Sequence, residues 1–479
     1  MQALPTLLAA LEGAVTVSPK APPSEAVTVV DEAKLRAKVD TLAHASAFGD
    51  GAEQATARWL LWELGQVLGI RPASIHDLYM ARGRGLTPNN FTVPAINVRA
   101  MAFDCGRAIF RAANAGEVGA VIFEIARSEI GYTGQRPAEY ISSLLAAAIK
   151  EGFRGPLFVQ GDHFQVSASR YAADPEAELG AVRELTREAI RAGFYNIDID
   201  TSTLVDLSLP THREQQRLNA LLCAELTRLI RHASPATVTV SVGGEIGEVG
   251  GHNSTPDELN AFMAEYEATL ADAGAGISKI SIQTGTSHGG VVLPDGTLAQ
   301  VAVDFEVLAT LSRLARERYH LAGAVQHGAS TLPDEAFSKF AEAGACEVHL
   351  ATNFQNMAFD RLPNDLREEI YAWLRETKSG ERKPDQTDEQ FLYNTRKHAL
   401  GAFKERLWTM PEPDRAVIRD AWEAQFKLLF ERLNVGRTRK LAAMCDPGPM
   451  HRALADVAID WTPEGGAAAV AEDTSDLAD

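Results

Sequence analysis

Leu157-Phe158-Val159-Gln160-Gly161-Asp162-His163 is a short apolar run that closes on a glycine, a carboxylate and an imidazole. Such a run, bounded by turn residues, reads as a buried strand, and Asp162 and His163 then stand where the strand gives way to a loop. The same rhythm returns on both sides of it. Pro94–Val98 and Ala120–Ile125 come before; Tyr195–Asp200, Thr237–Val242, Ser278–Gln283, Leu321–Gln326 and Glu347–Thr352 come after. Amphipathic segments separate these runs. Strands alternating with helices predict a parallel α/β fold, and eight such units over residues 91–360 are the size of a (β/α)8 TIM barrel. A doubly wound sheet would want a dinucleotide or phosphate-loop fingerprint after its first strand, and the sequence has neither.

The remainder of the chain reads as cover. Residues 1–90 predict a helical N-terminal extension, with helices over Asp31–Val39 and Ala52–Leu68. Residues 361–464 predict a helical C-terminal extension, in which Phe403–Val435 divides into two helices around Met410-Pro411-Glu412-Pro413. Within it Arg396-Lys397-His398 reads as a solvated helix face. Residues 465–479 are small and acidic, and are expected to be a disordered tail.

A net charge of -18 over 479 residues argues against nucleic acid or an anionic membrane as partner, so a phosphate site has to be local. Cys105, Cys223, Cys346 and Cys445 are widely spaced and read as buried thiols of a reducing compartment. The apolar start lacks a basic leader and contains Glu12, and no uncharged run approaches a membrane span. A cytoplasmic location is expected.

The chemistry concentrates at strand ends. His163 follows the third run, Glu245 the fifth, His288 in Gly285-Thr286-Ser287-His288-Gly289-Gly290 the sixth, and His327 in Gln326-His327-Gly328-Ala329-Ser330 the seventh. Barrel active sites are built at that C-terminal face. Three neutral imidazoles converging from separate strands suit a catalytic divalent metal, whose fourth position stays open. The glycine-rich turns would leave backbone N–H groups for an anion. Taken singly, each histidine reads as structural, and Glu245 could simply hold its own turn. Asp198 and Asp200 either line the mouth or form ion pairs, while His349 and His252 are second-tier candidates.

From Phe91 to Phe359 the chain resembles the class II (metal-dependent) fructose-bisphosphate and tagatose-bisphosphate aldolases. The resemblance rests on Pro94-Ala95-Ile96-Asn97, Gly161-Asp162-His163, Gly244-Glu245 with Gly250-Gly251, Gly285-Thr286-Ser287-His288-Gly289 and His327-Gly328-Ala329-Ser330. It implies a lyase of carbohydrate metabolism, in glycolysis, that divides a phosphorylated ketose into dihydroxyacetone phosphate and an aldehyde. The implied metal is zinc or another divalent ion, held by His163, His288 and His327 with Glu245 in support, and a monovalent cation is allowed. Asp162 would exchange the proton of the C4 hydroxyl. Asn97 would meet substrate hydroxyls, and Gly289, Gly328, Ser330 and Thr352 would bind phosphate. A homo-oligomer, dimer or tetramer, is implied as well, in which Arg396 would approach a neighbouring site.

Three places depart from the pattern. Gln160 replaces the first histidine of the usual His-x-Asp-His run, His252-Asn253-Ser254 stands where a mobile acid is usual, and His349-Leu350-Ala351-Thr352-Asn353 lacks two aspartates. A different ketose phosphate, or a non-catalytic subunit stabilising a catalytic partner, are the alternatives these changes raise. A barrel hydrolase would want a His-x-His pair on the first strand, and that strand offers only Asn97.

Overall fold

The computed structural model describes residues 3–19, 25–247, 252–285, 293, 302–455 and 477. Eight parallel strands form a closed barrel: β1 (Val93–Asn97), β2 (Ile122–Ala126), β3 (Gly155–Gln165), β4 (Asn196–Asp200), β5 (Ser241–Glu245), β6 (Lys279–Ile282), β7 (Ala324–Gln326) and β8 (Glu347–Leu350). Neighbours pair in chain order, and β8 pairs with β1 to close the ring. Each strand falls within a few residues of a predicted run. The apolar residues of these runs are fully buried, as in Ile122, Phe158, Val159, Ile197, Val242, Ile280, Val325 and Val348. Helices on the outside cover them, which is why the strands read as near-continuous apolar stretches.

The barrel interior is less ordinary. Barrels usually fill it with Val, Ile and Leu, whereas here Glu124, Gln160, Asp198, Lys279 and Glu347 form a buried polar layer. Lys279 Nζ lies 2.9 Å from Asp198 Oδ2 and 2.8 Å from Gln160 Oε1, and it donates to Glu347 as well. Gly243 leaves the space for this arrangement, since a Cβ there would collide with Asp198 Oδ1.

The N-terminal ninety residues are helical as expected over Glu32–Phe48 and Gly51–Leu68, each capped by an aspartate side chain, Asp31 and Asp50. They also hold what periodicity did not reveal, an antiparallel hairpin of Val15–Pro19 with Glu25–Val29. A further strand, Ile70–Ala73, lies beside β3. The helix His76–Gly83 then closes the N-terminal end of the barrel. Its Tyr79 hydroxyl donates to Glu347, and Arg82 donates to the carbonyls of Phe91, Ala322, Gly344 and Ala345.

In the C-terminal extension the break falls as predicted, between Lys404–Trp408 and Glu412–Arg432. The longer helix is fixed by Trp422 Nε1 on Phe354 O at 2.9 Å and Arg419 on Asp104 at 2.6 Å. The chain then returns to the N-terminal extension, where Trp59 and Trp62 donate to the carbonyls of Arg452 and Met450. Arg396 is not on a solvated face. It is buried, its guanidinium lies over Tyr393 and Phe359, and it donates to Asn356. The expected tail lies outside the described residues except for position 477. Among the described residues, no helix is long and apolar enough to cross a membrane.

Candidate active site

The pairing of β3 with β4 shifts register between Gly161 and Phe164, and His163 sits at φ +37°. A regular strand turns successive side chains to opposite faces. The bulge breaks that alternation, so Asp162 and His163, adjacent in sequence, both reach one buried cluster with His327, the ligand atoms of all three within 4.8 Å of one another. A left-handed backbone at a residue other than glycine costs about 1–3 kcal/mol and persists only where the surroundings impose it. Gly161 permits the bulge, because a Cβ there would collide with the Phe164 ring.

His163 comes from the end of β3, His327 from the end of β7 and His349 from β8. Their rings lie side by side, with centroids 4.2 Å apart for His163–His327 and 4.0 Å for His327–His349. His163 Nδ1 is 3.1 Å from Asp200 Oδ2 and 3.5 Å from Glu245 Oε2. Asp200 is held in turn by Ser202 and Gln165. A carboxylate on one ring nitrogen fixes the imidazole's orientation and turns the other nitrogen to the site; His163 Nε2 lies 4.0 Å from Asp162 Oδ1. His327 Nε2 lies 3.0 Å from Ser281 Oγ.

The electrostatics of the cluster demand positive charge. Burial disfavours a charged imidazole, yet Asp162, Asp200 and Glu245 together raise His163 to about 10. His349 is likewise raised well above the histidine range against its burial, by Glu124 and Asp162. Burial, and the neighbouring Asp200 charge, push Glu245 well above the usual carboxylate range. Burial also acts to raise Asp162, but His163 and His349 hold it well below that range. Carboxylates outnumber the imidazoles here, so protons or a metal cation must balance them, and a bound metal would displace protons from the rings. The imidazoles of His163 and His327, with the Asp162 carboxylate beside them, suit a borderline cation such as zinc.

Asp162 is gripped on both oxygens. His349 Nδ1 lies 3.0 Å from Oδ1, and Asn97 Nδ2 donates to Oδ2 at 2.9 Å. Behind His349, its Nε2 is 2.7 Å from Glu347 Oε1, which ties the mouth to the charged layer below. There Lys279 overcomes burial to hold Glu347 at about 2, while burial wins at Asp198, which stands at about 6. Burial and the nearby Asp162 charge raise Glu124 to about 8.

Most of the residues singled out from the sequence meet at this mouth. Asp162, His163, His327, Glu245 and Asn97 are all buried at the C-terminal ends of their strands. Gly328 takes φ +68° in the turn after β7. Two residues on, Ser330 Oγ accepts from Ala351 N at 2.6 Å, joining the loops after β7 and β8 beside Thr352. His288 and Gly289 lie outside the described residues. His252 does not join the site, since it is bound to Glu258 at a helix start. His349, a second-tier candidate from the sequence, lies in the cluster beside Asp162 and His327, and Asp198 and Asp200 divide, one an ion-pair partner of Lys279 and the other a partner of His163. Glu124, Glu129, Lys279 and Glu347 stand at or beneath the mouth as well, without a motif that marks them in the sequence. Three of them share one signal, a charge inside an apolar strand, as in Ile122-Phe123-Glu124-Ile125.

Known proteins resemble this chain in sequence and in fold. The family model for class-II fructose-bisphosphate aldolase matches residues 86–407. The D-tagatose-1,6-bisphosphate aldolase subunit GatZ of Escherichia coli O1:K1 is 28% identical over 141 residues, which is 29% of this chain and 33% of that protein. The chain thus spans about a third of that relative's length. The fructose-bisphosphate aldolase of Helicobacter pylori strain J99 is 25% identical over 226 residues, 43% of this chain and 65% of that protein. Among solved structures, a probable tagatose 6 phosphate kinase from Sinorhizobium meliloti 1021 shares the fold, with a TM-score of 0.51 at 16% identity over 77% of this chain and 97% of that one.

Proposed function

This chain belongs to the class-II fructose-bisphosphate aldolase family, and on that premise we propose that it is a metal-dependent aldolase interconverting a phosphorylated ketose with dihydroxyacetone phosphate and an aldehyde. The observation that carries the reading is the buried cluster of Asp162, His163 and His327 at the barrel mouth. His163 and His327, with His288 as a third ligand, would hold a zinc ion, which when bound supplies Lewis-acid stabilisation of the charge left by C3–C4 cleavage. Asp162, kept ionised by the imidazoles around it, takes the C4 hydroxyl proton in cleavage and returns it in condensation. Asp200 and Glu245 orient His163. The turn at Gly328 and Ser330, with Thr352 across from it, binds the donor's phosphate, so that a non-reacting group orients the reacting carbons. Residues 91–360 form the catalytic barrel in this reading, with the helical extensions as cover and a homo-oligomeric assembly.

A lysine imine is the other common electron sink for aldol chemistry. Lys279 is unsuited to it, being fully buried and donating to Asp198, Gln160 and Glu347. A second reading is favoured by the relative named an aldolase subunit, namely that this chain supports a separate catalytic chain. The test is cleavage of fructose and tagatose bisphosphates by the purified chain alone, with zinc supplied. Cleavage by wild type that is abolished in Asp162→Asn supports the aldolase. Metal binding without cleavage of either sugar points to another ketose phosphate, and absence of both metal and cleavage favours the supporting subunit.

A further inference from the structure

Glu129 is wholly buried on the segment that follows β2, where no substrate or metal role falls to it. Its surroundings are nevertheless built with care. Oε1 accepts from Arg99 Nε at 2.5 Å; Oε2 accepts from the backbone N–H of Ala126 at 2.9 Å and from Asn97 Nδ2 at 2.9 Å. The same Asn97 nitrogen donates to Asp162 Oδ2 at 2.9 Å. Arg99, Glu129, Asn97 and Asp162 therefore form one continuous chain of hydrogen bonds from the first two loops of the barrel to the candidate base.

The chemistry of the amide makes this chain directional. A carboxamide has two N–H donors and one carbonyl acceptor. Both Asn97 donors are spent, one on each carboxylate, so Asn97 meets any substrate hydroxyl only as an acceptor, through Oδ1. Glu129 selects this arrangement. An Asn97 turned over would present its carbonyl oxygen to two carboxylates, each left with an unmade bond in a buried site. Glu129 is itself immobile, fixed by a charged partner on one oxygen and a backbone N–H on the other. The loop carrying Arg99 is pinned too, because Gln135 donates to the carbonyls of Val98 and Arg99 at 3.2 and 3.1 Å.

We propose that Glu129 is a positioning residue for the aldol step: through Asn97 it fixes the carboxylate plane of Asp162 and confines Asn97 to accepting a hydrogen bond. The proposal rests on the aldolase reading above and concerns orientation alone. A carboxylate that is free to rotate loses alignment with the hydroxyl proton it must take, which costs turnover rather than binding.

The experiment compares wild type, Glu129→Gln, Asn97→Ala and the double variant as full-length, zinc-loaded protein, with kcat and KM measured on whichever ketose bisphosphate the wild type cleaves. Melting temperature and zinc content are recorded for each. Glu129→Gln keeps the shape but sets an amide N–H against either Arg99 or Asn97. The expected result is a kcat about 10- to 100-fold lower, with KM within about threefold, for each single variant. The double variant should be no worse than the worse single one, because both act through the same contact to Asp162. A kcat within about twofold of wild type in Glu129→Gln, or a double variant whose loss is the product of the single losses, overturns the proposal. If Glu129→Gln does not fold, Asn97→Ala decides with the Glu129–Arg99 pair intact: a loss in kcat supports the proposal, and a loss confined to KM overturns it. Failure of the wild type to cleave any phosphorylated ketose would instead overturn the aldolase reading, a result distinct from any of these.

Discussion

Replacing Lys279 by methionine tests the charged layer beneath the site. Lys279 has no exposed surface, and its ammonium serves Asp198, Gln160 and Glu347 at once. Methionine matches the stem in length and keeps the packing, so the change removes chiefly the charge. Two carboxylates then face each other in the barrel without their shared counter-ion. The cheapest relief is for one of them to take up a proton. Asp198 already stands at about 6 beside Lys279, so completing its protonation in the variant costs about 1.4 kcal/mol more than in the wild type at pH 7, at about 1.4 kcal/mol per unit, and almost nothing more at pH 5. The sign follows directly. In the variant the folded carboxyl stands above its unfolded value, so stability is retained at low pH and lost as pH rises. Urea denaturation at pH 5 and pH 7 should therefore show a loss at pH 7 that exceeds the loss at pH 5 by about 1–1.5 kcal/mol. Lys279→Met with Glu347→Gln should recover most of it. A loss below about 1 kcal/mol at pH 7, or the same loss at both pH values, would refute the claim that Lys279 balances buried charge.

Three further outcomes are expected. Asp162→Asn should lower kcat by about 100- to 10,000-fold while the protein keeps its metal, as measured by steady-state cleavage and elemental analysis. Gly161→Ala should cost about 1–3 kcal/mol and most of the activity, since the new methyl meets the Phe164 ring that the bulge accommodates; thermal melts with activity assays check it. His76 is held near 4 by burial, with Arg231 and Arg84 adding to the effect, below an unfolded value of about 6.5. Its contribution is present above the unfolded value and fades as pH falls from about 6.5 to 4, up to about 3 kcal/mol. His76→Gln should flatten that part of the stability profile in chemical denaturation.

How much of this was legible in the sequence varies with the physics involved. The eight strands could be read because strands of a covered parallel sheet are apolar on both faces; the run at 157–161 falls within an observed strand and the run at 195–200 begins one residue before one. Strand ends were legible for the same reason, and with them the positions of Asp162, His163, Glu245 and His327. The bulge at Gly161–Phe164 was not, because a register shift is a property of the pairing between β3 and β4 rather than of either strand. Glu124, Lys279 and Glu347 were passed over because a charge is ordinarily a solvent-facing residue; only their mutual pairing in three dimensions makes burial tolerable. Arg396 misled in the same way, since two of its partners, Phe359 and Asn356, come from the separate helix Thr352–Arg361. The paired strands Val15–Pro19 and Glu25–Val29 and the strand at Ile70–Ala73 are short and take their stability from neighbours that periodicity does not register.

The central claim is that His163 and His327 hold a catalytic metal beside Asp162. The most direct measurement is zinc content by elemental analysis of wild type, His163→Ala and His327→Ala, each checked for folding by circular dichroism, alongside cleavage of fructose and tagatose bisphosphates. The account predicts about one zinc per chain with cleavage in the wild type, and loss of both in each folded variant. Undiminished zinc in both variants, or cleavage that survives complete removal of metal by a chelator, would contradict it.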